Sequence, residues 1–436
     1  MVLFRTGRSK NRRTQEKSVS NIIVGLDVGT CNVRAVIGEV NDDGNVEIIG
    51  VAKKESEGLR NGVIVNIEAT MSVIKDAIEV AEQKAGYEVT SCVTGIGGVQ
   101  IESMNSKGLV AVSTHGKADR EINQSDVERV LEAANAVQIP MDRKMLHVIP
   151  QEYIIDGMRG FKDPIHNIGV RLEAEVHIVT ASRTAIQNIS SCIERAGYQL
   201  DRVMLKTLAA TQAVMLEEER ELGSILVDLG GGTTDVLVII HDAPVCTASI
   251  PVGGNLVTND IAIVKGISTA TAEKLKIESG CCWLQAIDAE QEVIIPGVGG
   301  RDPELTTRAE LCQIIQPRME EIFTMVYDEV SHRTNLTQLS GNIILTGGGA
   351  LMSGAVELAE SVFNTSAVRI GLPEKLGGIE EEYRSAEYAT SVGLVLANKN
   401  IGSSIGGRRG GDKTRQRREN KNGGEGLWAR IKKSFF

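Results

Sequence analysis

No run of 18 apolar residues occurs anywhere in this 436-residue chain, which excludes a spanning helix of ordinary length. Residues 1–20 hold no apolar core segment after Met1–Phe4, so a secretory leader is not expected. There is no CxxC pair and no His/Cys cluster at zinc spacing. The seven cysteines are therefore read as reduced thiols of a cytoplasmic protein. Positive charge is scarce in the body of the chain. Six Lys/Arg against Glu16 lie in residues 1–20, and ten against Asp412, Glu419 and Glu425 lie in residues 401–436. With −10 overall, residues 21–400 carry −22. An acidic body with two basic ends argues against a nucleic-acid-binding core and points the ends toward an anionic surface.

What is present is ordinary globular material, 42% hydrophobic and 24% charged. The length suits two to four domains. Residues 1–20 read as a flexible basic arm. The globular part runs from Asn21 to about Asn400. Residues 401–426 are rich in Gly, Arg, Lys, Ser and Asn, cannot bury enough surface to offset backbone entropy, and are expected to be a disordered linker. Apolar residues return in Leu427–Phe436. On a helical wheel Leu427, Ile431, Phe435 and Trp428 share one stripe about 100° wide, and Arg430, Lys432 and Lys433 flank it. A basic, aromatic-bearing helix of this kind fits a membrane surface.

Strands and helices alternate inside the body. Ile22–Leu26, Val33–Val40, Val89–Thr94, Met145–Ile155 and Leu172–Thr180 read as strands. Ala69–Ala85 has helical spacing and Gly86 stops it; Ser125–Val137 is a helix opening on Ser125 and Glu128; Thr184–Ala196 is closed by Gly197. Ile225–Leu229 and Val236–Ile240 are apolar throughout, as central strands are. The class is α/β.

The chemical signal is a repeated hairpin. Asp27-Val-Gly29-Thr30 lies between two apolar runs, and so does Asp228-Leu-Gly230-Gly231-Gly232-Thr233-Thr234, 201 residues later. Glycine at such a turn lets backbone N–H groups approach a phosphate. The threonines add donors, and Asp27 and Asp228 are placed to hold Mg²⁺ through water. Either hairpin alone would pass as an ordinary Asx turn. Two in parallel contexts suggest related domains facing each other across a cleft. Further glycine turns follow at Pro251-Val-Gly253-Gly254, leading into Asn259 and Asp260, and at Gly347-Gly348-Gly349 after the strand Ile343–Thr346. Such turns let a flat ring sit against backbone. Glu273 and Lys276, three apart on one helix face, could grip a ribose or adenine edge.

In this order the segments resemble the actin/Hsp70/sugar-kinase superfamily: first phosphate loop, second phosphate loop, adenosine loop. His147-Val-Ile-Pro150-Gln151, Arg195-Ala-Gly197, Val227–Asp235, Pro317-Arg-Met-Glu-Glu-Ile322 and Leu345-Thr-Gly-Gly348 are similar to the bacterial cell-division FtsA family. The resemblance covers about Asn21 to Asn400. It implies an actin-like two-lobed ATPase fold with an inserted, SHS2-type subdomain 1C. Subdomain 1A would be residues 21–101 with 181–222, 1C residues 102–180, 2A residues 223–253 with 320–400, and 2B residues 254–319. It implies ATP and Mg²⁺ as ligands, with Cys31 and Asn32 completing the first phosphate loop. It implies self-polymerisation, anchoring of FtsZ filaments at the cytoplasmic face of the inner membrane, contact with later division proteins, and a C-terminal anchor at Leu427–Phe436. The acidic C-terminal peptide of FtsZ would meet Arg301 and Arg308 in subdomain 2B.

Three positions depart from the family pattern. Cys31 and Asn32 stand where the family usually has Ser or Thr and then often Lys, and a thiol is a poorer donor. Lys206 stands where many relatives have Glu, and a cation is no general base at pH 7. Gln212 is read as a surface residue. The expected ATPase activity is weak or absent. A sugar-kinase-like phosphotransferase also fits Asp27-x-Gly29-Thr30-x3-Arg34, but no substrate-side base accompanies it. An Hsp70-like chaperone would need a peptide-binding domain, and only 36 residues follow Asn400.

Overall fold

The computed structural model describes residues 21–399 except 113–119, 287, 289, 298–301 and 335–338. Two five-stranded sheets form its frame, and they are built alike. In the first, Asn21–Val28, Asn32–Val40 and Val46–Glu55 form an antiparallel meander, and Ser91–Ile96 and Gln199–Leu205 add in parallel on the other side. In the second, Ser224–Leu229, Thr234–Ile240 and Ala243–Ile250 form the meander, and Ile343–Thr346 and Val368–Ile370 add in parallel. The strand order is the same in both halves, so the hairpin repeat seen in the sequence is a repeat of whole sheets.

The helices Lys206–Val214 and Ala389–Ala397 pack on each other between the two sheets. Ala389–Val395 is buried all round its helix, which is what a helix with protein on both sides requires. One apolar cluster therefore runs from Val36 and Val51 through Ala209, Ala213 and Val392 to Leu226 and Ile344, tying the halves together.

A third sheet, ordered Met158–Phe161, Arg143–Ile155, Arg171–Ser182, Ile101–Ala111, interrupts the first half. The helix Gln124–Asn135 covers one of its faces, burying Val127, Val130 and Leu131. This unit touches the second half at polar points. Ser103 Oγ donates to the Thr247 carbonyl at 2.9 Å, and His177 Nε2, with Asn105 of its own sheet 2.7 Å from its Nδ1, meets Thr247 Oγ1 at 2.9 Å.

Local chemistry explains the helix ends. Ile67–Ala85 starts two residues before the expected Ala69 because the Asn66 side chain accepts from the N–H groups of Glu68 and Ala69. Its stop at Gly86, with φ +70°, is as expected. The cap of Gln124–Asn135 is Asn123 with Asp126 in a reciprocal capping box, not Ser125 with Glu128. Thr184–Ala196 is found as Arg183–Arg195. The strand Ala243–Ile250 was not expected, because Pro244, Thr247 and Ser249 break its apolar run. All seven cysteines are free, six of them buried. No described helix is long and apolar enough to cross a membrane.

Candidate functional site

The two Asp-x-Gly turns adopt one geometry. Gly29 N donates to Asn32 O at 3.0 Å, and Gly230 N donates to Thr233 O at 3.0 Å. A Cβ on either glycine would stand 2.8 Å from that same carbonyl oxygen, so only glycine closes either turn. The turns face each other across a cleft of about 820 Å³ lined by both halves. They meet directly. Cys31 Sγ donates to Asn255 Oδ1 at 3.2 Å and lies where a Gly231 side chain would be, 2.2 Å from its ideal Cβ. Thr30 Oγ1 is 2.8 Å from the ideal Cβ of Gly232 and accepts from Gly62 N at 2.9 Å. Burial pushes the Cys31 thiol up, so it sits in this contact as the neutral group. Asn32 also lines the cleft.

Charge is concentrated on the cleft floor. Asp27 and Asp228 end equivalent strands, and the hairpin register puts Arg34 opposite the first and Asp235 opposite the second. Lys206 Nζ lies 2.7 Å from Asp27 Oδ1 and donates to the Val28 carbonyl at 2.7 Å. Arg34 is 3.8 Å from Asp27 but 2.7 Å from Glu387, and stacks 5.7 Å from the Tyr388 ring. Withdrawal from water, then the charges of Asp235 and Asp27, push Asp228 up to about 7. Asp235 is also raised, mainly by burial, although Ser249 Oγ and Gly98 N donate to it. Among the described residues no donor reaches the Asp228 carboxylate, and no three acidic, His or Cys side chains are placed to hold a metal directly. An unpartnered carboxylate between two others is relieved by a cation, so the floor fits a hydrated Mg²⁺.

The glycine turns of the second half line the same cleft. Gly347 has φ +81° and passes so close to Asp228 that a Cβ would stand 2.3 Å from its Oδ1; Gly348 beside it faces open space. Gly253 packs on the Gly230 carbonyl at the head of the helix Gly254–Lys265. Glu273 and Lys276 pair at 2.7 Å, and Lys276 Nζ also donates to Gly254 O and Thr258 Oγ1 at 3.1 and 2.9 Å. Thr258 Oγ1 donates in turn to Glu273.

Three predicted residues lie outside the cleft. Thr234 is buried and donates to the Val252 carbonyl at 2.9 Å. Asn259 is exposed and Asp260 pairs with Arg318 at 2.7 Å, because Gly254, Val257 and Ile261 hold the inner face of their helix. Arg308 lines the cleft instead of an outer surface. Its Nε and NH2 donate to the carbonyls of Ser279 and Gly280 at 3.1 and 3.5 Å, and its NH1 to Gln291 at 3.2 Å. Arg301 and the expected anchor Leu427, Trp428, Arg430, Ile431, Lys432, Lys433, Phe435 and Phe436 lie outside the described residues. Gln212 is exposed. Sequence reasoning missed Asp235, Asn255 and Glu387, and noted Arg34 only as part of the rival sugar-kinase motif. Asp235 and Arg34 had a usable signal, as the hairpin partners of Asp228 and Asp27.

The chain is similar to known proteins. Residues 225–393 match the family model described as "Cell division protein FtsA", and residues 98–180 match "SHS2 domain inserted in FTSA". The curated "Cell division protein FtsA" of Borreliella burgdorferi is 45% identical over 377 residues, covering 86% of this chain and 90% of that protein. That of Pseudomonas aeruginosa is 43% identical over 375 residues, covering 86% and 88%. That of Escherichia coli K12 is 37% identical over 385 residues, covering 87% and 90%. Among solved structures, a type IV pilus PilM–PilN complex superposes with TM-score 0.62 at 16% identity, covering 86% of this chain and 97% of that one. MreB5 of Spiroplasma citri bound to ADP superposes with TM-score 0.53 at 14% identity, covering 90% and 100%. With its two like sheets on an actin-like plan and its SHS2 insert, the chain belongs to the FtsA family of cell division proteins.

Proposed function

We propose that the cleft binds ATP with Mg²⁺, and that the nucleotide-bound protein polymerises and tethers FtsZ filaments to the cytoplasmic face of the inner membrane, where later division proteins gather. The observation that carries this reading is the meeting of two identically built glycine turns over a floor of three carboxylates. The turns present backbone N–H groups and Thr30, Thr233 and Asn32 to a polyphosphate. Asp228, with Asp27, would hold the water shell of the ion, which when bound neutralises phosphate charge. Gly253, Gly254 and Gly347–Gly349 would take the adenosine, with Glu273 and Lys276 at its edge. Lys206 occupies the position of a base and Gln212 faces solvent, so the role is that of a nucleotide-held adaptor with weak hydrolysis.

The same reading assigns residues 102–180 to an inserted subdomain 1C and residues 254–319 to subdomain 2B. There Arg301 receives the acidic FtsZ peptide, whereas Arg308, expected beside it, is turned into the cleft and held by Ser279, Gly280 and Gln291, so it is not assigned to that contact. Residues 427–436 form the membrane-binding helix beyond the linker 401–426. The test is pelleting of the full chain with purified FtsZ and anionic vesicles, with and without ATP. FtsZ should sediment with vesicles only when the protein is present, and more completely with ATP. FtsZ left in the supernatant under every condition would refute the adaptor reading.

A further inference from the structure

Lys206 is the first residue of the helix Lys206–Val214, which no side chain caps. Its stem lies in a lane cut by two glycines. A Cβ on Gly95 would stand 2.7 Å from Lys206 Cγ, and one on Gly97 3.3 Å from Lys206 Cδ. Any larger residue at Gly95 would push the lysine out of the floor. The lane fixes an ammonium on a chain that otherwise costs much rotamer freedom to order. An ammonium has three donors. The Val28 carbonyl accepts one of them at 2.7 Å, Asp27 Oδ1 lies 2.7 Å away as an ion-pair partner without a hydrogen bond, and no other acceptor among the described residues takes a Lys206 N–H. Lys206 lines the cleft beside the strand end that leads into the first glycine turn. Arg34 is not equivalent, because its NH2 is held by Glu387 at 2.7 Å and its NH1 reaches Asp27 only at 3.8 Å, although its buried Nε has no partner.

We propose that Lys206 is a built-in counter-charge for the nucleotide: an N–H of its ammonium that no protein group accepts contacts the terminal phosphate and takes over part of the divalent cation's work. Triphosphate binding then persists, weakened, when Mg²⁺ is removed. The proposal rests on the nucleotide reading of the cleft. A lysine that merely neutralised the carboxylates would behave differently, since its removal would leave metal-free binding unchanged or sharpen the demand for Mg²⁺ equally for ATP and ADP. Asp27 acts here as a positioning residue that holds the ammonium in place.

The experiment is equilibrium titration of the full chain with ATP, ADP and a non-hydrolysable triphosphate, in Mg²⁺ and in excess chelator. It uses wild type, Lys206→Met and Lys206→Arg, with circular dichroism and thermal melts to confirm folding. Wild type should retain measurable triphosphate binding in chelator. Lys206→Met should lose about ten- to a hundredfold in triphosphate affinity there, the scale of one charge-assisted hydrogen bond, with a smaller loss in Mg²⁺ and a smaller loss for ADP. Lys206→Arg should recover most of the metal-free binding. Equal losses for ATP and ADP, or metal-free binding unchanged by Lys206→Met, overturn the proposal. So does wild type that binds ATP in Mg²⁺ but not at all in chelator, whatever the variants do. Absence of nucleotide binding in both conditions is a separate result, which removes the nucleotide reading itself.

Discussion

Adding one methyl group at Gly231 should separate the two glycine turns, and removing one sulfur atom should bring them back. The ideal Cβ of Gly231 falls 2.2 Å from Cys31 Sγ, then 3.3 Å from Asn255 Oδ1 and 3.4 Å from Cys31 Cβ. Gly231→Ala therefore has one severe clash and two tolerable contacts. Overpacking of this kind costs about 1–3 kcal/mol, or about five- to 150-fold in a binding constant. The clash joins opposite walls of the cleft, so the loss should appear in nucleotide affinity more than in the melting temperature. Cys31→Ala deletes the Sγ atom and leaves only the contacts at 3.3 and 3.4 Å. The double variant should then bind a fluorescent ATP analogue within about threefold of Cys31→Ala alone, a coupling well above the usual additivity error of about 0.3–0.5 kcal/mol. Gly231→Val adds two further methyls and should not be rescued. Strict additivity of Gly231→Ala and Cys31→Ala would refute the reasoning, since the turns would not then touch in solution.

Other outcomes follow from the charges and the tail. Asp228 has a folded pKa of about 7, above its ordinary value, so the folded state binds the extra proton and ligand-free stability should fall as pH rises from about 4 to about 7. Asp228→Asn should flatten that slope in thermal melts while weakening Mg-ATP binding; an unchanged slope would contradict the crowding of the floor. His147 is held neutral, its pKa lowered to about 3 by burial, and its Nε2 accepts Leu205 N–H at 3.0 Å. His147→Phe should cost about 1–3 kcal/mol by urea denaturation near pH 7.5, through the orphaned N–H. It should also reduce the stability lost below about pH 6.5, where the unfolded histidine takes up a proton. Trp428→Glu should leave nucleotide binding intact and release the protein from anionic vesicles in co-sedimentation. Continued sedimentation at the wild-type level would move the anchor elsewhere, the basic arm Arg5–Lys17 being the first candidate.

Local chemistry was legible in the sequence, and long-range partnership was not. The paired hairpins could be read because strand, turn and strand are contiguous, and their register then follows from the turn. The glycines at 29, 230, 253 and 347 could be read because each follows a strand. Asp260 was misplaced because motif proximity ignores helical phase: it lies two turns along from Gly254, on the side that meets Arg318. Cys31 with Asn255, Arg34 with Glu387 and Lys206 with Asp27 are separated by 224, 353 and 179 residues. No local pattern encodes such pairs; they exist only once both sheets and the helices between them have packed. The position of Lys206 was visible as a departure from the family, but its meaning came from the lane beside Gly95 and Gly97.

The two sheets repeat one another in backbone but not in charge. At the ladder position facing the strand-end aspartate, one copy carries Arg34 and the other Asp235. Two walls alike in backbone are thus electrically unlike at this position. Equivalent substitutions in the two halves should therefore have opposite signs. Arg34→Ala strips a counter-charge from Asp27 and Glu387, whereas Asp235→Ala relieves Asp228 of its nearest repulsion.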